Sequence, residues 1–248
     1  MLELKDRVGV VSGGASGIGA ACVRELATAG VTAVSWDLSP DADVHCDTSD
    51  EGSVRAALDE TVERFGVPSL HVAAAGKSGF AGPIVDIPVE EWDSLFAVNT
   101  RGVFLTTRTI AKRMIAEGLD GSIVTLGSVQ GVIPDPALAI YSAAKAAVFQ
   151  FTRVAAIELG PHGIRVNGIG PGPTMTPMIA ALADSPEWRA TTEAVTPLRR
   201  VGTAEDVAEV IVNVMRSSWL TGQCILTDGG SSLMSARGAL RAKVLESS

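Results

Sequence analysis

The chain has a single tyrosine, three cysteines, and aromatic residues at only 4% of its 248 positions. Cys22, Cys46 and Cys224 are far apart and show neither CxxC nor Cys/His spacing. That excludes a disulfide scaffold and a metal site, and suits a reduced cytoplasmic protein with its thiols in the core. No run approaches the ~18 apolar residues that a membrane-spanning helix needs. The opening MLELKDRVGVVSGG lacks the basic stretch and apolar core of a secretory signal. A cytoplasmic location with no membrane partner is therefore expected. Blocks of Lys or Arg are also missing, and with a formal net charge of -8 no nucleic-acid partner is expected. Without repeats, low-complexity tracts or Pro/Ser-rich linkers, residues 1–248 read as one domain.

What is present is an apolar, alanine-rich chain, 46% hydrophobic against 19% charged, able to bury a large core. Short β-branched runs alternate with longer helical patterns: VGVVS (8–12), VTAVSW (31–36), LHVAAA (70–75), SIVTLGS (122–128), IRVNGIG (164–170) and CILTD (224–228). Strands apolar on both faces, each followed by a helix, predict an α/β fold: a doubly wound parallel sheet of about seven strands with helices on both faces. Two segments depart from the rhythm. The stretch 171–202 holds five prolines and several apolar residues, and its part from about 173 to 202 is placed where a lid over a ligand would be built. The other is the tail, about 229–248, whose Arg237, Arg241 and Lys243 fit either a crossing to a neighbouring subunit or a loose end.

The first strand runs into SGGASGIG, with Gly13, Gly17 and Gly19 spaced G-x-x-x-G-x-G and a helix opening at Ile18. Glycines allow close backbone approach to a diphosphate, and the helix N-terminus favours its charge. A tight turn needing positive φ is the competing reading. Asp37, about twenty residues on at the end of the second strand, suits the two hydroxyls of an adenosine ribose and repels a 2′-phosphate. Neither Ser16 nor Leu38 is basic, so NAD is favoured over NADP. Asp37 also reads as an exposed strand-end cap, and Asp47, beside Thr48 and Ser49, as the start of the next helix.

YSAAK places Tyr141 and Lys145 four residues apart, on one face of a helix. A unit charge ~4 Å from the phenol at an effective dielectric of ~20 is worth roughly 4 kcal/mol, about three pKa units. Such a phenol exchanges protons near neutral pH, as a general acid/base must. Tyr141 is the only tyrosine, and Lys145 is the only lysine between Lys112 and Lys243, which scattered surface use explains poorly.

SGGASGIG, the Asn of VNTRGVF, the Ser of TLGSVQG, YSAAK and PGPTMTPM, in that order over about residues 5 to 230, resemble the short-chain dehydrogenase/reductase family. The resemblance implies a catalytic tetrad of Asn99, Ser128, Tyr141 and Lys145. In it the tyrosine moves the proton, the serine holds the substrate oxygen, and the lysine lowers the tyrosine pKa and binds the nicotinamide ribose. The asparagine anchors a water. It implies, too, that Ser12, Gly13, Ser16, Gly17, Ile18 and Gly19 lie at the diphosphate and Asp37 and Leu38 at the ribose. Asp47 and Thr48 would lie near adenine, Ala75 and Gly76 along the adenosine side, and Pro171, Gly172, Thr174 and Thr176 at the carboxamide. This chain departs from the family pattern in having Ser12 where threonine is usual and Ala73-Ala74 where two asparagines are usual. The nine residues between Asp37 and Asp47 also leave too little chain for the usual helix.

The expected substrate surface comprises Val129, Gln130, Val132 and Ile133 after Ser128, the loop from Lys77 to Ile84, and Met175, Met178, Ile179, Leu182 and Trp188 of the lid. With Ser128 and Tyr141 at its base, this mostly apolar set favours a hydrophobic secondary alcohol or ketone. The helix 142–159 is apolar over most of its circumference, so a second subunit is expected to cover it in a homodimer or homotetramer. Three activities fit: an NAD-dependent oxidoreductase for secondary alcohols, a 3-oxoacyl thioester reductase, and a non-catalytic dinucleotide sensor. Asp37 argues against the second and the intact tetrad against the third.

Overall fold

The computed structural model describes residues 2–234; the basic residues of the tail lie outside them. Nine strands and eight α-helices alternate among the described residues: β1 (Val8–Ser12), α1 (Gly17–Thr28), β2 (Thr32–Asp37), β3 (Val44–His45), α2 (Glu51–Phe65), β4 (Leu70–Ala73), α3 (Val89–Phe96), α4 (Val103–Ala116), β5 (Gly121–Leu126), α5 (Ala139–Leu159), β6 (Ile164–Pro171), β7 (Thr174–Met175), α6 (Ala180–Ala183), α7 (Pro186–Val195), β8 (Gly202–Thr203), α8 (Ala204–Arg216) and β9 (Cys224–Thr227). Seven strands form one parallel sheet in the order β3-β2-β1-β4-β5-β6-β9. This is the single-domain Rossmann-like arrangement expected. Chain direction across the sheet reverses between β1 and β4, and the crevice at their carboxyl ends is where such sheets take ligands.

Alternation along the strands divides the core. Val11, Val72, Val124 and Ile169 face Cys22 and Leu26 of α1 and Ile211 and Met215 of α8. Val10, Val34, Ile123 and Val166 face Val54 of α2, Ile110 and Met114 of α4, and Ala155 of α5. Because both faces are covered, the strands read as continuous apolar runs. Trp36 is fully buried and donates from Nε1 to Thr61 Oγ1 at 2.8 Å, so its one polar atom is satisfied while the ring fills the core.

The short Asp37–Asp47 crossover contains no helix: the chain turns and returns as the two-residue β3. Asp50, not Asp47, caps α2, accepting from Ser53 N at 2.6 Å. Asp47 instead accepts from the amide and hydroxyl of Ser49. The 171–202 stretch leaves β6, forms β7, carries α6 and α7, and returns as β8 beside β7. There Thr203 and Asp206 form a reciprocal capping box on α8, and Arg200 holds both oxygens of Asp206, keeping that carboxyl well below its ordinary range.

Candidate active site

The turn after β1 is forced by contact. Gly13, at φ +71°, has space only because it lacks a Cβ, which would fall 2.7 Å from Ala75 Cα. A Cβ on Gly19 would lie 2.0 Å from Gly13 O, so the helix starts pressed against the loop. Ser16, the exposed N-cap of α1, makes no side-chain cap bond, and the first turn carries no acid. The amides that a helix start leaves without intrahelical partners thus receive no internal substitute, an arrangement suited to an anion. Ile18 tucks part of its side chain into the core, and Gly17 sits under Thr176, whose Cβ would be 3.4 Å from an added methyl.

Some of the residues expected around this loop are already engaged elsewhere. Ser12 is buried and its hydroxyl is directed to Val72 O at 3.5 Å, into the sheet rather than at the loop. Asp37 accepts from Ala15 N on one oxygen and Ser39 N on the other, both at 3.1 Å. It therefore holds the glycine loop to the next turn while keeping further lone pairs. Leu38 is 60% exposed, and Thr48 is buried under Gly102. Pro171 is buried at the end of β6, Gly172 donates to Thr227 O at 3.0 Å, and Thr174 is buried with its hydroxyl bonded to Gly172 O at 2.9 Å.

Asn99, Ser128, Tyr141 and Lys145 come from three different elements and gather at the carboxyl end of β4 and β5. Asn99 is fully buried in a π turn, Ala97–Gly102, between α3 and α4, a local widening often found at functional sites. Its amide clamps one residue, accepting from Lys77 N and donating to Lys77 O, both at 2.9 Å. Ser128 lies two residues past β5, accepts from Gln130 N at 3.2 Å, and its hydroxyl acts on the Tyr141 phenol, favouring the ionised form. Lys145 is buried and donates to Leu126 O at 2.8 Å. A methyl group added at Gly76 would stand 3.5 Å from Asn99 Oδ1 and 3.8 Å from Lys145 Nζ, so Gly76 leaves a small hollow between them.

One electrostatic expectation needs correction. Lys145 Nζ lies 5.7 Å from the centre of the Tyr141 ring and is directed to a backbone carbonyl. Burial pushes the phenol above its ordinary pKa, and the Ser128 hydrogen bond pulls it back only in part. Burial likewise lowers Lys145 to about 8. The same desolvation that raises the acid weakens the cation meant to lower it. With one hydrogen bond used of the three an ammonium offers, buried Lys145 has spare donors. Together with the open glycine turn, they fit a dinucleotide with ribose hydroxyls at Lys145 and its diphosphate at α1.

Of the expected substrate surface, Val129 is buried, whereas Val132, Ile133, Met175, Met178 and Leu182 are exposed. Gln130 donates to Asp135 at 3.3 Å and leaves Oε1 buried without a partner among the described residues. The site residues that the sequence did not flag, Ala15, Ser39 and Leu126, act through main-chain atoms, as does Lys77, which was expected only on the substrate surface; such contacts leave no signature in side-chain chemistry.

A family model described as Enoyl-(Acyl carrier protein) reductase matches residues 13–232. A short-chain type dehydrogenase/reductase from Mycobacterium marinum superposes with a TM-score of 0.87 at 30% identity, covering 92% of this chain and 96% of that one. The chain belongs to the short-chain dehydrogenase/reductase family. Among relatives of this dehydrogenase/reductase, the cis-4-hydroxycyclohexanecarboxylate dehydrogenase of Sinomonas cyclohexanicum is 36% identical over 242 residues, 91% of this chain and 96% of the relative. A 3-oxoacyl-[acyl-carrier-protein] reductase of Thermotoga maritima is 33% identical over 247 residues, 92% and 99% of the two chains. As a member of the family the protein is an oxidoreductase. Among the described residues no helix is long and apolar enough to cross a membrane, and no group of three or more His, Cys, Asp or Glu is placed to hold a metal ion.

Proposed function

We propose that this short-chain dehydrogenase/reductase oxidises hydrophobic secondary alcohols, or reduces the corresponding ketones, with NAD as the partner. The observation that carries the reading is that Asn99 and Lys145 flank the hollow at Gly76, with Tyr141 one helical turn from Lys145 and under the influence of the Ser128 hydroxyl. Bound there, the nicotinamide would supply or accept the hydride. Ser128 would hold the substrate oxygen and Tyr141 would move its proton. Lys145, fixed by Leu126 O, would use its spare donors on the ribose, and Asn99 would hold Lys77 so that the floor beside Lys145 keeps its shape. Gly13, Ser16, Gly17, Ile18 and Gly19 would cradle the diphosphate through main-chain amides. Pro171, Gly172, Thr174 and Thr176 would place the carboxamide, while Ala75 and Asp47 with Thr48 would flank the adenosine.

Asp37 supports NAD: it stands at the end of β2, followed in sequence by Leu38 rather than by a basic residue that would offset a 2′-phosphate. The segment from about 173 to 202 would act as the lid, with exposed Met175, Met178 and Leu182 closing on the substrate. A homodimer or homotetramer would cover Val154 and Ile157 of α5, which are 44% and 76% exposed, and Phe104 of α4 at 43%. A 3-oxoacyl thioester reductase is the second reading, favoured by the Thermotoga maritima relative.

Fluorescence titration with NADH and NADPH, then NAD reduction by a panel of secondary alcohols and a 3-hydroxyacyl thioester, tests the reading. Tighter NADPH binding would overturn the cofactor assignment. Turnover of the thioester alone would favour the second reading.

A further inference from the structure

The π turn AVNTRG that carries Asn99 buries only Asn99 and Gly102, and neither brings an apolar side chain. The helices on either side are anchored in the core: Leu95 of α3 packs with Ile140 and Ala144, and Val103 of α4 packs with Ala73 and Val148. The turn between them therefore depends on polar contacts to keep its wide i→i+5 form, which is rare and found mostly at functional sites. Side chains leave it in three directions. Asn99 clamps the main chain of Lys77. Thr100 Oγ1 donates to Ala144 O at 3.4 Å, one residue before Lys145 on α5. Arg101 Nη1 donates to Ser49 O at 2.7 Å. Beside it Gly102 lets the 47–50 loop lie close, since a Cβ there would stand 3.0 Å from Thr48 Oγ1.

Arg101 makes the shortest of these bonds, and it is the exposed member of the set. Its side chain adds little to the core, so its value lies in the bond itself, which a charged donor strengthens. A shift at Arg101 carries Asn99 with it, because the two are two residues apart in one turn, and the bonds from Asn99 to Lys77 tolerate only a few tenths of an ångström. We propose that Arg101 is a positioning residue of the active site: by tying the π turn to the loop of Asp47 and Thr48, it keeps Asn99 where it can hold Lys77 beside the Gly76 hollow. The two ends of the cofactor crevice are then kept in register through a single turn. The inference rests on the dehydrogenase reading above, which puts the adenosine at Asp47 and Thr48 and the ribose at Lys145.

Amide hydrogen exchange on the full chain reads the link directly, because the Lys77 amide is held by Asn99 Oδ1 and exchanges when that bond opens. In Arg101→Ala this amide should exchange about tenfold faster while the amides of β4 and β5 keep their wild-type rates; in Arg101→Lys, which retains a charged donor, it should stay within about threefold of wild type. At saturating NAD, with the fastest alcohol of the panel, kcat should fall about fivefold in Arg101→Ala and recover in Arg101→Lys. A Lys77 amide unchanged in Arg101→Ala overturns the proposal. So does faster exchange spread evenly through β4 and β5, which marks a general loss of stability. A raised KM for NAD with kcat unchanged also overturns it, since Arg101 would then serve the adenosine end alone. If no alcohol reduces NAD with the wild-type protein, the dehydrogenase reading falls, and the exchange comparison by itself decides the role of Arg101.

Discussion

The ammonium of Lys145 is tied to the carbonyl of Leu126 at 2.8 Å, linking the middle of α5 to the end of β5. A buried cation held by one neutral acceptor is poorly stabilised, which is why its pKa falls to about 8. The unfolded chain, titrating near its ordinary 10.5, binds more protons than the folded one between the two values. Stability of the ligand-free protein due to Lys145 therefore rises with pH through that window. Between pH 8 and 9.5 the stability difference between wild type and Lys145→Met should move toward wild type by about 1.5 kcal/mol. Urea melts of both proteins at the two pH values measure it, and a flat difference would show that Lys145 is charged throughout.

Tyr141→Phe keeps the ring packed against Leu95 and Ile140 and removes only the hydroxyl. Loss of a positioned proton-transfer group should lower kcat by ~10²–10⁴-fold while NADH affinity stays within about twofold. Ser128→Ala removes the hydrogen bond that lowers the Tyr141 pKa against burial. In the oxidation direction, where the phenolate is the base, the rise of kcat/KM with pH should therefore move to higher pH in that variant. An unmoved profile would assign the titration to another group.

Asp37 does two things, and its substitutions should separate them. It receives the amides of Ala15 and Ser39, so Asp37→Ala leaves two donors short of a partner and should destabilise the fold by ~1–3 kcal/mol. Asp37→Asn keeps an acceptor and removes the charge, so the NADH to NADPH affinity ratio should fall about tenfold with a smaller effect on stability. Parallel thermal melts and fluorescence titrations distinguish the two outcomes.

Strand positions were legible because both faces of the sheet are covered: VGVVS at 8–12 is β1 residue for residue, and CILTD differs from β9 by one position. Strands with no apolar signal were not legible. Val44–His45 is two residues long, and among the described residues Thr174–Met175 and Gly202–Thr203 pair with each other outside the main sheet. Within the site, spacing correctly put Tyr141 and Lys145 on one face, but it could not reveal that Lys145 turns to Leu126 O. A charge's effect on its neighbour depends on burial and on competing acceptors, and sequence spacing reports neither. Ser12 shows the same limit, since its position beside the glycine turn says nothing of a hydroxyl that points into the sheet.

His71 gives a prediction remote from the cleft. It is fully buried on β4, with Nδ1 3.1 Å from Val10 O and Nε2 3.1 Å from Thr106 Oγ1. The backbone carbonyl fixes the tautomer, because only Nδ1–H can donate to it, and the neutral Nε2 then competes with Gly102 O, 3.0 Å away, for the one hydroxyl proton of Thr106. Burial lowers its pKa from 6.5 to about 4, so the folded protein holds a neutral imidazole where the unfolded chain takes up a proton. Stability from this residue is complete above pH 6.5 and is lost as pH falls toward 4. From pH 7 to pH 5 the loss should be about 2 kcal/mol. His71→Gln, which carries an acceptor and a donor but does not titrate, should be less stable than wild type at pH 7 and lose less on acidification. Urea melts at pH 7 and pH 5 on both proteins give the comparison. Equal acid sensitivity in the two would mean that the imidazole is protonated inside the fold, with Thr106 turned to accept.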